Sequence, residues 1–541
     1  MSNNTNSSSS MMQSATDLQA DANNQFSCQN YAAALESYTK AIDLLPDNIG
    51  SLLSQRSRVY TELKMYENAL CDLDEALKYP GDHTERLFHR ARVLYSMGRY
   101  SDTVDALKLL VPKNASYVKD YKRALERVLE QKYGRYDIIG MYNEAKHQTL
   151  PCLDRAEYTG SVKITDIARK GRGVVVTQDV SAGTLLLSSK PYAIVFQYET
   201  EESPYSAELI QMRLYEKLSQ KLRQNPSTAD TLLELCSAAS ISQPYKPQYM
   251  YHQGSRSYIS NTLPPGTLVQ IPNERIIGII RANSFHVGDE ITNYIEGISG
   301  EGSTKMTDGL GIWILPSYIN HSCASNAEWF TIGDMLFVRA IQDIVEGGEV
   351  TISYSTESAF LPLAERNKTF KSLGFVCICE MCELERNQSE AARYRQLNHI
   401  QDIVLMKTKT HYNHEAILRI QSIIRDFTTA STDISSPIHL MGVVMFDPLV
   451  KLAANLLTCN EYKTASICVQ AAFELLPRRG GILCFRMMRM MQVAGFYFKN
   501  GRKKEAKRWM DLLKQDCEIM FGGGVKLWEM LHKQDLINAI S

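Results

Sequence analysis

Three cysteines close one stretch of this chain, Cys377-Ile378-Cys379-Glu380-Met381-Cys382, at C-x-C-x2-C spacing. Thiolates so placed fit three corners of a tetrahedral Zn²⁺ site and leave the fourth for a ligand from elsewhere. The best-placed candidate is Cys323, in Ser317-Tyr318-Ile319-Asn320-His321-Ser322-Cys323. His321 has two other readings, as a zinc ligand or as a core histidine. In a reducing compartment such clustering favours a metal over a disulfide. With Cys323 as ligand, one ion clamps the Asn-His segment against the chain that follows Tyr354, and that is the expectation.

The elements that must position these residues are strands. Asp334–Ala340 and Glu349–Tyr354 read as a pair separated by a turn at Gly347-Gly348. Upstream, Val162-Lys163-Ile164 and Gly173-Val174-Val175-Val176-Thr177 are β-branched runs bounded by turn residues. Between them lies Arg169-Lys170-Gly171-Arg172-Gly173, expected to be a loop whose two glycines let the backbone approach a ligand and offer amide donors.

A repeat precedes the strands. Tyr31, Tyr66 and Tyr100 recur at intervals of 35 and 34, and Ala34, Ala69 and Thr103 keep the same step, as do Ala41, Ala76 and Leu110. Pro46 and Pro80 fall where helices must stop. This period resembles tetratricopeptide repeats, pairs of antiparallel helices that present a peptide-binding groove. Ala22-Asn23-Asn24-Gln25-Phe26 looks like the subtype that grips the carboxylate tails of chaperones. Asn23 matches one clamp position, but Gln19, Gln55, Glu85 and His89 occupy the others, and Glu85 repels an anionic tail. Chaperone-tail binding is therefore not expected, and the repeats serve to recruit another peptide or protein or to prop the rest of the chain.

Bulk properties exclude several classes. The 541 residues allow three or so domains. The 59 basic and 60 acidic side chains balance, which argues against direct nucleic-acid binding. No run approaches the ~20 apolar residues of a membrane span. Residues 1–16 are a polar, serine-rich tail without a secretory pattern, expected to be disordered. Twelve cysteines in such a chain read as free thiols and metal ligands, hence a cytoplasmic or nuclear protein, expected as a monomer.

Taken in order, Asn320-His321-Ser322-Cys323, the strand ending Glu349-x4-Tyr354 and the three-cysteine tail resemble a SET domain with its cysteine-rich post-SET segment. That resemblance implies a split β-fold that binds S-adenosylmethionine and methylates lysine on a protein or histone substrate. It makes Tyr354 the catalytic residue that positions the amine, although a strand-end tyrosine in the core is the other reading. It places Lys170, Gly171, Arg172, Gly173, Asn283, Ser317, Asn320, His321, Tyr354 and Phe375 at the cofactor, with Phe375 stacking on adenine. For Asn283, in Ala282-Asn283-Ser284-Phe285, a helix-capping or surface asparagine is the alternative. The implied zinc set is Cys323, Cys377, Cys379 and Cys382.

The resemblance is closest to the SET-and-MYND group, and to fungal-type proteins that join the repeats to a SET domain without the MYND finger. Cys236 is the only cysteine between Cys152 and Cys323, so that finger cannot form. Two further departures are Ser189 in place of an acidic residue and Leu373 in place of an aromatic that lines the lysine channel. The second would widen that channel or leave the pocket weak or inactive, in which case the chain is a scaffold.

The expected fold is multidomain α+β: an N-terminal α-solenoid, a split SET β-fold with a post-SET zinc site, and a C-terminal helical domain. The tail covers 1–16, repeats and helical linker 17–150, and the SET domain 151–375. A helical insert interrupts it at about 199–275, with helices Ala207–Leu222 and Thr228–Ala239 and a loop at 243–247. The zinc segment is 376–390. Residues 391–541 are helical, with helices expected at Ala391–Met406, Ala416–Phe427, Pro448–Leu457, Tyr462–Leu476, Phe485–Phe498 and Lys503–Met520. The basic cluster from Lys499 to Arg508 reads as a solvated helix face rather than a nuclear import signal.

Overall fold

The computed structural model describes residues 5–44, 47–112, 114–200, 207–224, 228–236, 248–250, 268–288, 309–355, 363–387, 461–475, 481 and 483–524, with scattered positions at 418–456 and 527–529. Its contacts divide the chain into two compact units, 1–135 with 154–158 and 211–280, and 136–153 with 159–210 and 281–541.

In the first unit, helix pairs follow the sequence period. They are α1 (Thr5–Ser27) with α2 (Tyr31–Asp43), α3 (Ile49–Glu62) with α4 (Tyr66–Ala76), and α5 (His83–Ser96) with α6 (Tyr100–Lys108). Each recurring tyrosine is the first residue of a second helix. The small residues in step with them are buried at the crossings: Ala34, Ala69, Ala41 and Ala76 have no exposed surface, and Thr103 has 1%. Each turn before a tyrosine uses left-handed backbone, at Gln29, Lys64 and Gly98, with φ of 60, 58 and 73°. Only the third of these is glycine, the residue that adopts this conformation without strain.

Helix α1 starts at Thr5, within the stretch expected to be disordered. No proline or glycine lies between Thr5 and Ser27, so nothing ends the helix as it propagates upstream from its packed half. The matched clamp positions bond to neighbours: Gln19 Nε2 donates to Gln55 Oε1 at 2.9 Å, and Tyr38 donates to Asn23 Oδ1 at 2.5 Å. Helix α7 (Val118–Tyr133) stops at left-handed Gly134.

The insert contains α9 (Ala207–Gln224), α10 (Ala229–Leu233) and an antiparallel pair, β6 (Gln248–Met250) and β7 (Leu268–Gln270). Three-residue strands are too short for alternation to reveal them. The loop expected at 243–247 lies outside the described residues. Helix α11 (Asn273–Asn283) follows.

In the second unit, α8 (Ile138–Lys146) is capped by Asp137, whose side chain accepts from the Gly140 amide. The strands are β1 (Tyr158–Thr159), β2 (Val162–Ile167), β3 (Gly171–Val176), β4 (Leu185–Ser189), β5 (Ala193–Phe196), β8 (Ser284–Val287), β9 (Gly309–Ile312), β10 (Asn320–His321), β11 (Ala327–Ile332), β12 (Met335–Ala340) and β13 (Glu349–Ile352). One sheet runs β10-β13-β3-β2, a second carries β4-β12-β11, and a third runs β5-β9-β8.

Gly171 and Gly173 are therefore not in a loop; they open β3, opposite Ile167 and Thr165 of β2. The turn is the three residues before them, where Arg169 takes a left-handed φ of 66°.

Helices α12 (Leu363–Ser372) and α13 (Glu380–Arg386) flank the cysteines, and α14 (Tyr462–Leu475), α15 (Leu483–Lys499) and α16 (Lys503–Phe521) follow. The helices expected at Ala391–Met406 and Ala416–Phe427 lie essentially outside the described residues, and Pro448–Leu457 is described only in part. Phe330, Ile332, Met335 and Phe337 of the sheet share one apolar core with Met487, Met490, Trp509 and Phe521 of α15 and α16. Arg339 of β12 donates to the Ile519 carbonyl at 3.1 Å and so caps the end of α16. Among the described residues no helix is long and apolar enough to cross a membrane.

Candidate functional site

Strand β10 is two residues long and lies parallel to β13, with Asn320 opposite Thr351 and His321 opposite Ile352. Because β13 also pairs with β3, the Asn-His segment and the two-glycine segment flank the same central strand. The Asn320 amide donates to the Arg172 carbonyl at 3.2 Å and to Glu349 Oε1 at 2.9 Å. Both of its N–H groups are thereby engaged, which leaves Oδ1 as an acceptor.

Lys170 meets the other Glu349 oxygen at 2.5 Å. Glu349 thus ties two of the expected cofactor residues together, a role that nothing in its spacing announces. A Cβ on Gly173 would sit 2.6 Å from Ile167 Cγ1 and 2.7 Å from Asn320 Nδ2, so the position has no room for a side chain. The guanidinium of Arg172 lies over the Tyr318 ring at 4.8 Å.

Asn283 and Ser317 meet through the Ser317 hydroxyl, which donates to the Trp313 carbonyl at 2.6 Å and lies 3.4 Å from the carbonyl of Asn283. Asn283 is the last residue of α11 and is buried, so it does not cap the N-terminus of that helix.

Tyr354 lies two residues beyond the end of β13. Its hydroxyl donates to the Ile319 carbonyl at 2.8 Å, and its amide donates to His321 Nδ1 at 3.0 Å. The side chain is 41% exposed, so the reading of it as a core tyrosine does not hold. Phe375 approaches Tyr354 edge-on at 6.0 Å and stacks at 5.2 Å on Phe370, which α12 supplies and the sequence did not single out. His321 sits among these rings, 4.4 Å from Phe370.

Behind the rings, the sulfurs of Cys323, Cys377, Cys379 and Cys382 all lie within 4.8 Å of one another, and all four residues are buried. Cys323 Sγ is 3.9 Å from Cys377 Sγ and 3.6 Å from Cys382 Sγ. A tetrahedron of ~2.3 Å zinc–sulfur bonds has edges of about 3.8 Å, so the set fits one Zn²⁺. All cysteines among the described residues are free thiols. Hydrogen bonding to Cys323 holds Cys377 far below the usual thiol range and Cys379 at about 6, while sharing with Cys377 pushes Cys323 up. The lowered members are thereby biased toward the thiolate, the form a metal takes.

His321 is not one of the four. Its Nδ1 is engaged by the Tyr354 amide and its Nε2 lies 3.3 Å from Cys323 Sγ. Arg366, fully buried, donates to Cys382 Sγ at 3.4 Å and pairs with Glu385 at 2.7 Å. This cation offsets part of the charge that four thiolates around one dication would carry.

Glu328 of β11 is also buried. It accepts from the Gly481 amide at 2.6 Å, and desolvation pushes its carboxyl up to about 7. Gly481 has a φ of 78°, and a Cβ there would lie 2.7 Å from Ser353 Cβ, next to Tyr354. No motif marks this contact in the sequence.

Comparison with known proteins follows the same residues. The family model that matches is described as the SET domain, over residues 171–355. The chain is 24% identical to a protein named Methyltransferase from Gibberella zeae, over 86% of this chain and 64% of that one. It is 33% identical to a SET and MYND domain-containing protein of Dictyostelium discoideum over 16% of this chain and 17% of the relative. It is 32% identical to small glutamine-rich tetratricopeptide repeat-containing protein 2 of Mycosarcoma maydis, over 17% of this chain and 26% of the other. The chain thus spans less than two thirds of the length of each of these relatives. The matched span opens on Gly171 and ends just beyond Tyr354, and it takes in the Gly173–Asn320–Glu349 contact and the Asn-His strand: residues 171–355 of this chain match the SET domain.

Proposed function

We propose that the protein is an S-adenosylmethionine-dependent protein-lysine N-methyltransferase whose helical repeats recruit the substrate. The observation that carries this is the setting of Tyr354, held by its hydroxyl at Ile319 and by its amide at His321, the two chain neighbours of Asn320, and edge-on to Phe375. Bound cofactor would supply an electrophilic methyl on a sulfonium. The chain supplies Asn320 Oδ1 as an acceptor for an ammonium, the Phe375 ring as a surface for adenine, and Lys170 and Arg172 near a carboxylate.

Lysine reacts only as the neutral amine, which at pH 7 is roughly one part in 2,500 for a free pKa of ~10.4. Desolvation by the Tyr354 and Phe375 rings lowers that pKa and offsets part of a ~4.6 kcal/mol penalty. The Tyr354 hydroxyl gives its proton to the Ile319 carbonyl, so toward the amine it acts as an acceptor. Transfer then depends on alignment and exclusion of water, with no carboxylate base.

The relatives' names support the reading: one is called a methyltransferase and another a SET and MYND domain-containing protein. One four-thiolate zinc site is part of it. Such a site needs a reducing compartment, so we place the protein in the cytoplasm or nucleus, as a monomer.

Leu373 favours a second reading, a catalytically weak scaffold, because it puts an aliphatic chain where a second ring would wall the channel. The test is transfer of labelled methyl into protein extracts, with Tyr354→Phe as the comparison. Signal in the wild type that falls in the variant supports an enzyme; cofactor binding by calorimetry without any transfer supports the scaffold.

A further inference from the structure

The imidazole of His321 touches both the thiol cluster and Tyr354. A backbone amide only donates, so the 3.0 Å contact from the Tyr354 N–H requires an unprotonated Nδ1. The neutral ring then carries its proton on Nε2, which lies 3.3 Å from Cys323 Sγ. An N–H that meets a thiolate makes a charge-assisted hydrogen bond, stronger than one to a thiol. The ring has little freedom to turn, since it is buried and packed 4.4 Å from Phe370 and 5.2 Å from the Tyr354 ring. Tyr354 is therefore tied at two points to one short segment, by Ile319 at its hydroxyl and by His321 at its amide.

The geometry points to His321 as a positioning residue that links metal occupancy to the placement of Tyr354. A metal that holds Cys323 as thiolate fixes the Nε2 end of the ring, and the Nδ1 end fixes the Tyr354 backbone. The link rests on the reading of Tyr354 as the residue that orients the amine, but its physical content is a pair of hydrogen bonds that can be read without any turnover.

The experiment measures hydrogen exchange of the Tyr354 amide in the full-length, zinc-loaded protein before and after removal of zinc with a chelator. An amide of β12, remote from the cysteines in the sheet order, serves as the reference. Exchange at Tyr354 should rise about tenfold on chelation while the β12 amide stays protected.

Two variants separate the two bonds, because an asparagine amide overlays Nδ1 and a glutamine amide overlays Nε2. His321→Asn should keep the Tyr354 amide protected and no longer respond to chelation. His321→Gln should leave the amide in fast exchange even with zinc bound. In cobalt-substituted protein the sulfur-to-metal charge-transfer band should shift in His321→Asn and stay in place in His321→Gln. An unchanged Tyr354 amide in the chelated wild type overturns the link, and so does a His321→Asn protein that responds to chelation as the wild type does. If the exchange pattern holds but loaded protein transfers no methyl, the enzymatic reading fails and the link stands.

Discussion

The phenol oxygen of Tyr354 lies 2.8 Å from the carbonyl oxygen of Ile319, 35 residues earlier in the chain. This bond aims the side chain from outside its own strand, and it consumes the hydroxyl proton. Removing the hydroxyl in Tyr354→Phe keeps the ring contacts with His321 and Phe375 and deletes both the bond to Ile319 and the acceptor for the amine. Methyl transfer should fall by roughly 10²-fold or more in kcat, the usual cost of one well-placed polar group. Cofactor affinity, measured by calorimetry, should stay within about twofold.

Gly173→Ala should act on the cofactor instead. The added methyl would meet Asn320 Nδ2 at 2.7 Å and Ile167 Cγ1 at 2.6 Å, and the asparagine amide is the softer neighbour. Its displacement breaks the bond to Glu349 and turns Oδ1 from its present direction. Binding of S-adenosylmethionine should weaken about tenfold or more, worth ~1.4 kcal/mol per decade. The unfolding midpoint should change by only a few degrees.

Metal removal should expose the cysteines. Treatment with a chelator should make the thiols of Cys323, Cys377, Cys379 and Cys382 reactive, four beyond those counted in the loaded protein. The unfolding temperature should drop with them, since a metal held by these four thiolates would add its binding free energy to folding. Cys377→Ser should lower the unfolding temperature and expose the three remaining thiols without a chelator.

Glu328 gives a pH dependence of definite sign. Desolvation raises its carboxyl from 4.5 to about 7 in the folded protein. Between those values the native state holds a proton that the unfolded chain releases, so stability declines as pH rises through that window and stays lower above it. The contribution is at most about 3 kcal/mol. Glu328→Gln keeps an oxygen for the Gly481 amide and removes the ionisation. It should raise the thermal midpoint at pH 8 and flatten the slope between pH 5 and 7.

The repeat and the cysteine cluster were legible because each is a matter of spacing. Tyr31, Tyr66 and Tyr100 mark helix starts, and three clustered thiols call for a fourth. Gln29 and Lys64 were not legible, since the neighbouring helices force a left-handed turn on residues that do not prefer it. Gly171 and Gly173 were read as a loop because glycine pairs usually mark one; here the approach of Asn320 demands the second of them inside a strand. Phe370, Arg366 and Glu349 were missed as site residues for a different reason. Each acts on a partner whose nearness depends on the tertiary path, and no local pattern encodes that.

The bond from Glu328 to Gly481 bears on how the protein can be divided. The family match stops at residue 355, yet the wall next to Tyr354 is completed by a glycine 126 positions later, and β11 and β12 lean on α15 and α16 for their apolar cover. A fragment cut after the cysteine tail would leave Phe330 and Phe337 facing water and a carboxylate without its amide. The surroundings of Tyr354 thus belong to a packed body larger than the signature by which it is recognised.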